Sequence, residues 1–195
     1  MKNQNIKNIR IELLSDNWYV LNKFTFEYRK EDGEWEAQHR EVYDRGNGAA
    51  ILLYNRDKRC VVLTRQFRMP TYVNGNEDGM MIEVCAGLLD HDDPVACIRK
   101  EVAEETGYSI DKVQPVMETY MSPGSVTEIL HLFIGEYNEA MKTGEGGGAE
   151  DETEHIEVLE VPFEEALLMV ERREIRDAKT VMLLQYAQLQ SIFNT

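Results

Sequence analysis

Apolar and polar positions alternate, or form short aliphatic runs, through the first half of the chain, and a helical period first appears after Pro94. WYVLNKFTFEYRK (18–30) and EWEAQHREVYD (34–44) flank Asp32-Gly33, a turn signal between aromatic-rich runs, and predict an N-terminal hairpin. GAAILLYN (48–55) and RCVVLTRQFR (59–68) predict a second hairpin across a polar link. NGNEDG (74–79) predicts a loop, and GMMIEVCAG (79–87) a strand ending at small residues. From Pro94 to Thr106, Val95, Ile98 and Val102 keep helical spacing, with Asp92 or Asp93 as cap, Pro94 at a first helical position and Gly107 as stop. Strands over 114–121, 128–137 and 156–161 and helices over 163–172 and 178–193 complete the pattern. Residues 142–154 (KTGEGGGAEDETE) have the composition of a mobile loop. The order predicts an α+β fold, a mixed sheet with helices packed on it. Residues 1–45 form an N-terminal β-hairpin extension and 46–195 the main domain. A hairpin that small needs a further surface to be stable, which predicts a homodimer.

At 195 residues the chain can bury a core without staples. Three cysteines (Cys60, Cys85, Cys97) with no CxxC spacing argue against a disulfide framework or a structural zinc site. His39, His91, His131 and His155 are scattered and show no metal-binding spacing. There is no apolar run near the ~20 residues of a bilayer span and no signal-peptide pattern, so the expectation is a cytoplasmic protein with no membrane partner. A net charge of −15 repels phosphate backbones and excludes nucleic acid as a main partner.

The acid is concentrated in 101–105, 150–154 and 157–165. On a helix, Glu101, Glu104 and Glu105 share one stripe, while Val95, Ile98 and Val102 define another that can face a core. Clustered like charges destabilise a helix, and a hard cation reverses that sign because carboxylate oxygens are its preferred ligands. A bare triple of this kind is more often a solvated face. Its surroundings change the reading. Gly87, Asp93, Lys100, Glu101, Val102, Glu104, Glu105, Gly107 and Tyr108 together resemble the Nudix box, the loop–helix–loop signature of the Nudix hydrolases. Three positions depart from the usual box. Asp93 stands for the loop Glu, the stretch from Gly87 to Glu101 is one residue short, and Lys100 stands for the usual Arg. Lysine cannot fork onto a carboxylate as arginine does, so Arg99 is the candidate to orient the first helical Glu.

The resemblance implies an α/β/α sandwich around a mixed sheet. It also implies hydrolysis of a nucleoside diphosphate linked to a further group, with Mg²⁺ as cofactor and Mn²⁺ as a substitute. Carried over residue by residue, the metal ligands are Glu101, Glu105 and the Ala86 carbonyl, with Glu104 a further ligand or a neighbour of the ligands. Gly87 and Leu88 lie beside the substrate. Outside the box, stretches such as REVYDRGNGAAILLYN (40–55), YVNGNEDG (72–79), YMSPGSVTE (120–128) and EIRDAKT (174–180) are similar to the ADP-ribose and GDP-mannose pyrophosphatase branch. They look most like its GDP-mannose hydrolases, which would give GMP and mannose 1-phosphate. ADP-ribose or another ADP-sugar is the alternative substrate, and a non-catalytic nucleotide-sugar-binding module is the rival of another class.

Further candidates follow. Trp18 or Tyr19 offers a ring for base stacking, or packs in a dimer interface. By resemblance His39, Arg40 and Glu41 line the substrate site across the dimer, and Glu128 touches substrate. Arg68 supplies a planar fork for phosphate, unless it is a surface ion pair. Lys179 reaches towards the nucleotide. In the acidic loop Glu152, with Asp151 second, is the expected general base or extra metal ligand, because such loops can complete a site when substrate binds.

Overall fold

The structure, a computed structural model, describes residues 3–89, 93–148 and 155–193. The chain divides into two compact units, one of residues 1–47 and 120–129 and one of residues 48–119 and 130–195.

The first unit is an antiparallel three-stranded sheet in the order β1 (Ile6–Asp16), β2 (Val20–Arg29), β3 (Trp35–Asp44). The expected hairpin is its β2–β3 pair, turning at Gly33 with φ +85°. β1 is an addition to the expectation. Its signal is the alternation Ile9-Arg10-Ile11-Glu12-Leu13, interrupted by a register shift between Lys7 and Arg10 where Asn8 takes φ +55°. Ile9, Ile11 and Leu13 remain more than half exposed. The turn at 122–126 hooks onto β3, with Tyr43 N–H donating to Ser125 O (2.8 Å) and Thr127 N–H to Tyr43 O (3.1 Å).

The second unit carries a mixed sheet. Its main path runs β10 (Glu157–Pro162), β5 (Cys60–Phe67), β4 (Gly48–Asn55), β9 (Ile129–Glu136), β8 (Gln114–Tyr120). β4 and β9 are parallel, whereas β10–β5 and β5–β4 are antiparallel. Every residue of β4 is buried, as expected of a central strand covered on both faces. Ala49, Ile51 and Leu53 join a core with Ile98 and Val102 of the helical segment after Pro94 and with Tyr108, Phe133 and Tyr137. Burying Ile98 and Val102 fully stabilises the fold by ~1.5–3 kcal/mol each. The alternate residues of β4 point to the opposite face. There α3 (Phe163–Glu171) and α4 (Ala178–Leu189) contribute buried Phe163, Ala166, Leu183, Leu184 and Ala187, and Tyr54 meets Phe193 edge-on.

The sheet opens into a fork. β4 pairs with β5 only over Leu53–Asn55, and its first half pairs instead with β7 (Cys85–Leu88). The second half of β5 pairs with β6 (Met80–Glu83). The strand expected over 79–87 is therefore two strands broken at Val84, because its two halves serve diverging partners. The Val84 N–H that leaves the ladder donates to Thr180 Oγ1 (2.8 Å). A short helix α1 (Met69–Val73), absent from the expectation, precedes the loop at 74–79.

The helix expected from Pro94 to Thr106 changes type within itself. It is α-helical as α2 (Pro94–Glu101) and a single π-turn from Val102 to Thr106, ending at Gly107 with φ +75°. Asp93 is the cap, its carboxylate accepting from Val95 N (2.9 Å) and Ala96 N (3.3 Å). The last helix ends at Leu189, short of the expected 193. Among the described residues no helix is long and apolar enough to cross a membrane.

Candidate active site

β7 and the helical segment meet at two contacts. Glu105, 3% exposed, accepts a hydrogen bond at Oε2 from Ala86 N–H (3.3 Å). Glu101 lies against Gly87, where an added Cβ would overlap its carboxylate. Two helical carboxylates therefore converge on consecutive residues of one strand. In a strand the N–H and C=O of one residue point the same way, so the Ala86 carbonyl faces the edge that Glu105 occupies. The π-turn sets this phase. Its wider i→i+5 bonding turns residues 102–106 away from pure α geometry, and such turns recur at functional sites. Burial pushes the Cys85 thiol well above its usual range, and the Glu105 carboxylate beside it pushes the same way. Cys60, Cys85 and Cys97 are all free thiols.

Other box positions serve different ends. Glu104 pairs with Lys100 one turn back (3.5 Å), while Glu105 and Glu101 meet β7 at Ala86 and Gly87. Arg99 donates to the Asp111 carbonyl, which corrects the expectation that it orients Glu101.

The glycine-rich segment after Met141 is tied to the end of the helix over its described part. Thr143 N–H donates to Gly107 O (2.8 Å), Gly147 N–H to Glu105 O (2.8 Å) and Gly148 N–H to Glu104 O (3.1 Å). The last carbonyls of a helix have no partner of their own, and this loop provides them. Gly146 has φ +74°, and a Cβ there would strike the Glu105 carbonyl. The expected loop acids Asp151 and Glu152 lie outside the described residues.

Arg68 and Lys179 both bind Glu83. Arg68 forks onto it through Nε–Oε1 (2.8 Å) and Nη2–Oε2 (3.2 Å), and Lys179 Nζ approaches Oε2 at 2.5 Å. Lys179 also donates to Asp177 (3.0 Å), which caps α4 through Thr180. Burial raises the Glu83 pKa, but Lys179 and Arg68 outweigh it and bring it down to about 2. Glu83 is not among the residues expected above; its signal is a lone acid inside the apolar run MMIEVC.

The remaining candidates belong to the first unit. Trp18 is 83% exposed and meets Tyr19 edge-on (6.2 Å); Tyr19 in turn packs on Tyr43. His39, Arg40 and Glu41 follow one another along β3 and are exposed, with Thr25 Oγ1 3.4 Å from His39 Nδ1 and Arg40 held to Gln38 and to the His39 carbonyl. Glu128 pairs with Arg45 (3.5 Å).

Among the described residues no three Asp, Glu, His or Cys side chains form a group that could hold a metal ion. The hard-oxygen set that does assemble is smaller: two carboxylates and a backbone carbonyl. It suits a hydrated Mg²⁺, which keeps several waters and takes one or two protein carboxylates. The missing side chain at Gly87 leaves the space in which the Glu101 carboxylate, one of that set, lies against β7.

This arrangement is that of a Nudix protein. The NUDIX domain model matches residues 44–184, more than half of the chain, and the chain belongs to that family. The family's hydrolases use divalent metal ions. Residues 5–43 match the model described as GDP-mannose pyrophosphatase NudK N-terminal domain. Among curated proteins the chain is similar to the GDP-mannose pyrophosphatase of Cronobacter sakazakii (strain ATCC BAA-894), 58% identical over 190 residues, 97% of this chain and 98% of that one. It is 57% identical over 190 residues to the GDP-mannose pyrophosphatase of Klebsiella pneumoniae subsp. pneumoniae, covering 97% and 95%. For that of Yersinia pestis (strain Pestoides F) the figures are 59% over 184 residues, 94% and 92%.

Proposed function

We propose that this Nudix protein hydrolyses the diphosphate of a nucleotide sugar, GDP-mannose, to GMP and mannose 1-phosphate. The observation that carries the reading is the convergence of Glu101 and Glu105 on Ala86 and Gly87. Likeness over nearly the whole chain to proteins named for that activity supports the substrate.

Glu101, Glu105 and the Ala86 carbonyl would hold Mg²⁺, with Mn²⁺ as a substitute; a bound ion supplies neutralisation of the diphosphate and acidification of the attacking water. Glu104, whose partner is Lys100 at 3.5 Å, would be a further ligand or a neighbour of the ligands. Gly87 and Leu88 offer backbone beside the reacting group, and Arg68 and Lys179 offer positive charge to the phosphate oxygens. Glu152, with Asp151 as second candidate, takes a proton from the water as its oxygen bonds to phosphorus and the bridging P–O bond breaks. A base so placed contributes ~10²–10⁴-fold. Trp18, His39, Arg40, Glu41 and Glu128 bind the nucleotide and sugar in a homodimer in which the N-terminal sheet is exchanged between protomers. We place the reaction in the cytoplasm.

The test is turnover of the purified protein with GDP-mannose and Mg²⁺, with ADP-ribose assayed beside it. Formation of GMP at a higher kcat/KM than AMP supports the reading. Full activity of Glu105→Gln would overturn it, and a higher kcat/KM for ADP-ribose would overturn the substrate.

A further inference from the structure

We infer that Glu83 is a positioning residue that locks Arg68 and Lys179 into one pair of cations serving the diphosphate. The inference rests on the function proposed above and extends it to a residue that touches no substrate.

Both Glu83 oxygens are engaged, Oε1 by Arg68 and Oε2 by Arg68 and Lys179 together. Arg68 comes from the end of β5 and Lys179 from the first turn of α4, segments far apart in the chain. Two like charges brought side by side repel, and the carboxylate between them turns that repulsion into a shared attraction. Asp177 completes a neutral quartet, two acids and two bases. Glu83 is 3% exposed and the Lys179 side chain 12%, while the Arg68 side chain stays more than a third open.

Stability alone is a weak reason for this construction. A buried ion pair must first overcome the desolvation of both charges, and apolar replacements of the same volume are often neutral or stabilising. Its place in the fold supplies a better one. Glu83 ends β6 at the fork of the sheet, and its carbonyl accepts from Thr64 Oγ1 (3.3 Å). Val84 follows, tied to Thr180, the residue that Asp177 caps. Next come Ala86 and Gly87, where Glu105 and Glu101 converge. One short segment, 83–87, thus fixes two cations and two carboxylates on the same piece of backbone. A diphosphate held by a metal on one side and by the open side of Arg68 on the other would use that combination.

The experiment is steady-state kinetics of Glu83→Gln with GDP-mannose and Mg²⁺, alongside its melting temperature with and without Mn²⁺. The amide keeps the shape and removes the charge that binds both cations. The expected result is a kcat/KM lower by about 30-fold, carried mainly by a higher KM, with the Mn²⁺-induced rise in melting temperature retained. Glu83→Asp, one methylene shorter, should fall between the two. Lys179→Met and the charge-balanced Glu83→Gln/Lys179→Met pair complete a cycle and cover the case in which Glu83→Gln fails to fold. If Glu83 acts through Lys179 and Arg68, the pair loses far less than the product of the single losses. Wild-type kcat and KM in Glu83→Gln, or losses that multiply in the pair, would overturn the inference and leave the function standing. A wild-type protein inactive on nucleotide sugars would overturn both.

Discussion

The carboxylate of Glu101 occupies the space that a side chain at residue 87 would need. A strand residue without a side chain is therefore what lets the helix bring an acid onto the β7 backbone. Gly87→Ala should displace Glu101 without touching any charge. Misplacement by about 1 Å can reduce a rate by 10²-fold, and a loss of that order is expected here. Isothermal titration of Mn²⁺ against the variant should show weakened binding, and wild-type affinity would refute the contact's importance.

Glu104 and Glu105 are adjacent in sequence but differently placed. Glu105 is buried against Ala86, and Glu104 faces Lys100. Glu104→Gln removes a surface pair worth ~0.3–0.5 kcal/mol of stability, and with Glu104 away from the Ala86 and Gly87 contacts its kcat is expected to stay within about threefold. Glu105→Gln should lose about 10³-fold, the scale of an interaction made at the reacting centre. Parallel kcat measurements decide it, and equal losses would place Glu104 in the metal set.

Gly146 sits in the left-handed region against the Glu105 carbonyl. Gly146→Ala meets both a backbone clash and a conformation costing ~1–2 kcal/mol for an L-residue. The bonds from Gly147 and Gly148 to the π-turn should break. Faster amide hydrogen exchange at Gly147 and Gly148, with reduced turnover, is the expected outcome.

The depressed carboxyl of Glu83 makes stability depend on pH in the acid range. Its pKa is about 2 in the folded protein against an ordinary 4.5, so its contribution is complete above about 4.5 and is lost as pH falls towards 2. The shift corresponds to about 3 kcal/mol at neutral pH. Urea unfolding between pH 5 and 2.5 should show that loss, with a shallower slope for Glu83→Gln.

Ile9, Ile11 and Leu13 lie exposed along β1. Apolar rows of this kind mark interaction surfaces. Ile11→Asp should convert the proposed dimer into a species eluting at 22.6 kDa, the mass of one chain, while the far-ultraviolet spectrum of the sheet is kept. A wild-type protein that already elutes there would remove the basis for the dimer.

The periodicity of the chain was enough to place most strands and helices, because burial on one face leaves its mark residue by residue. It also carried the acid triple, since residues three and four apart on a helix must be neighbours. The residues of the box are close in sequence, and their resemblance to a family is therefore legible before the chain folds. β1 escaped because its alternation is broken by a bulge. The break at Val84 escaped because a strand's partners are not written in its own residues. Pairings across long separations followed only from the fold. Which glutamate turns to β7 and which to Lys100 depends on a π-turn stabilised by a loop some forty residues on. The union of Arg68, Glu83 and Lys179 depends on where the sheet forks and where α4 docks. Local sequence encodes periodicity and propensity, whereas the meeting of charges from distant segments is an outcome of packing.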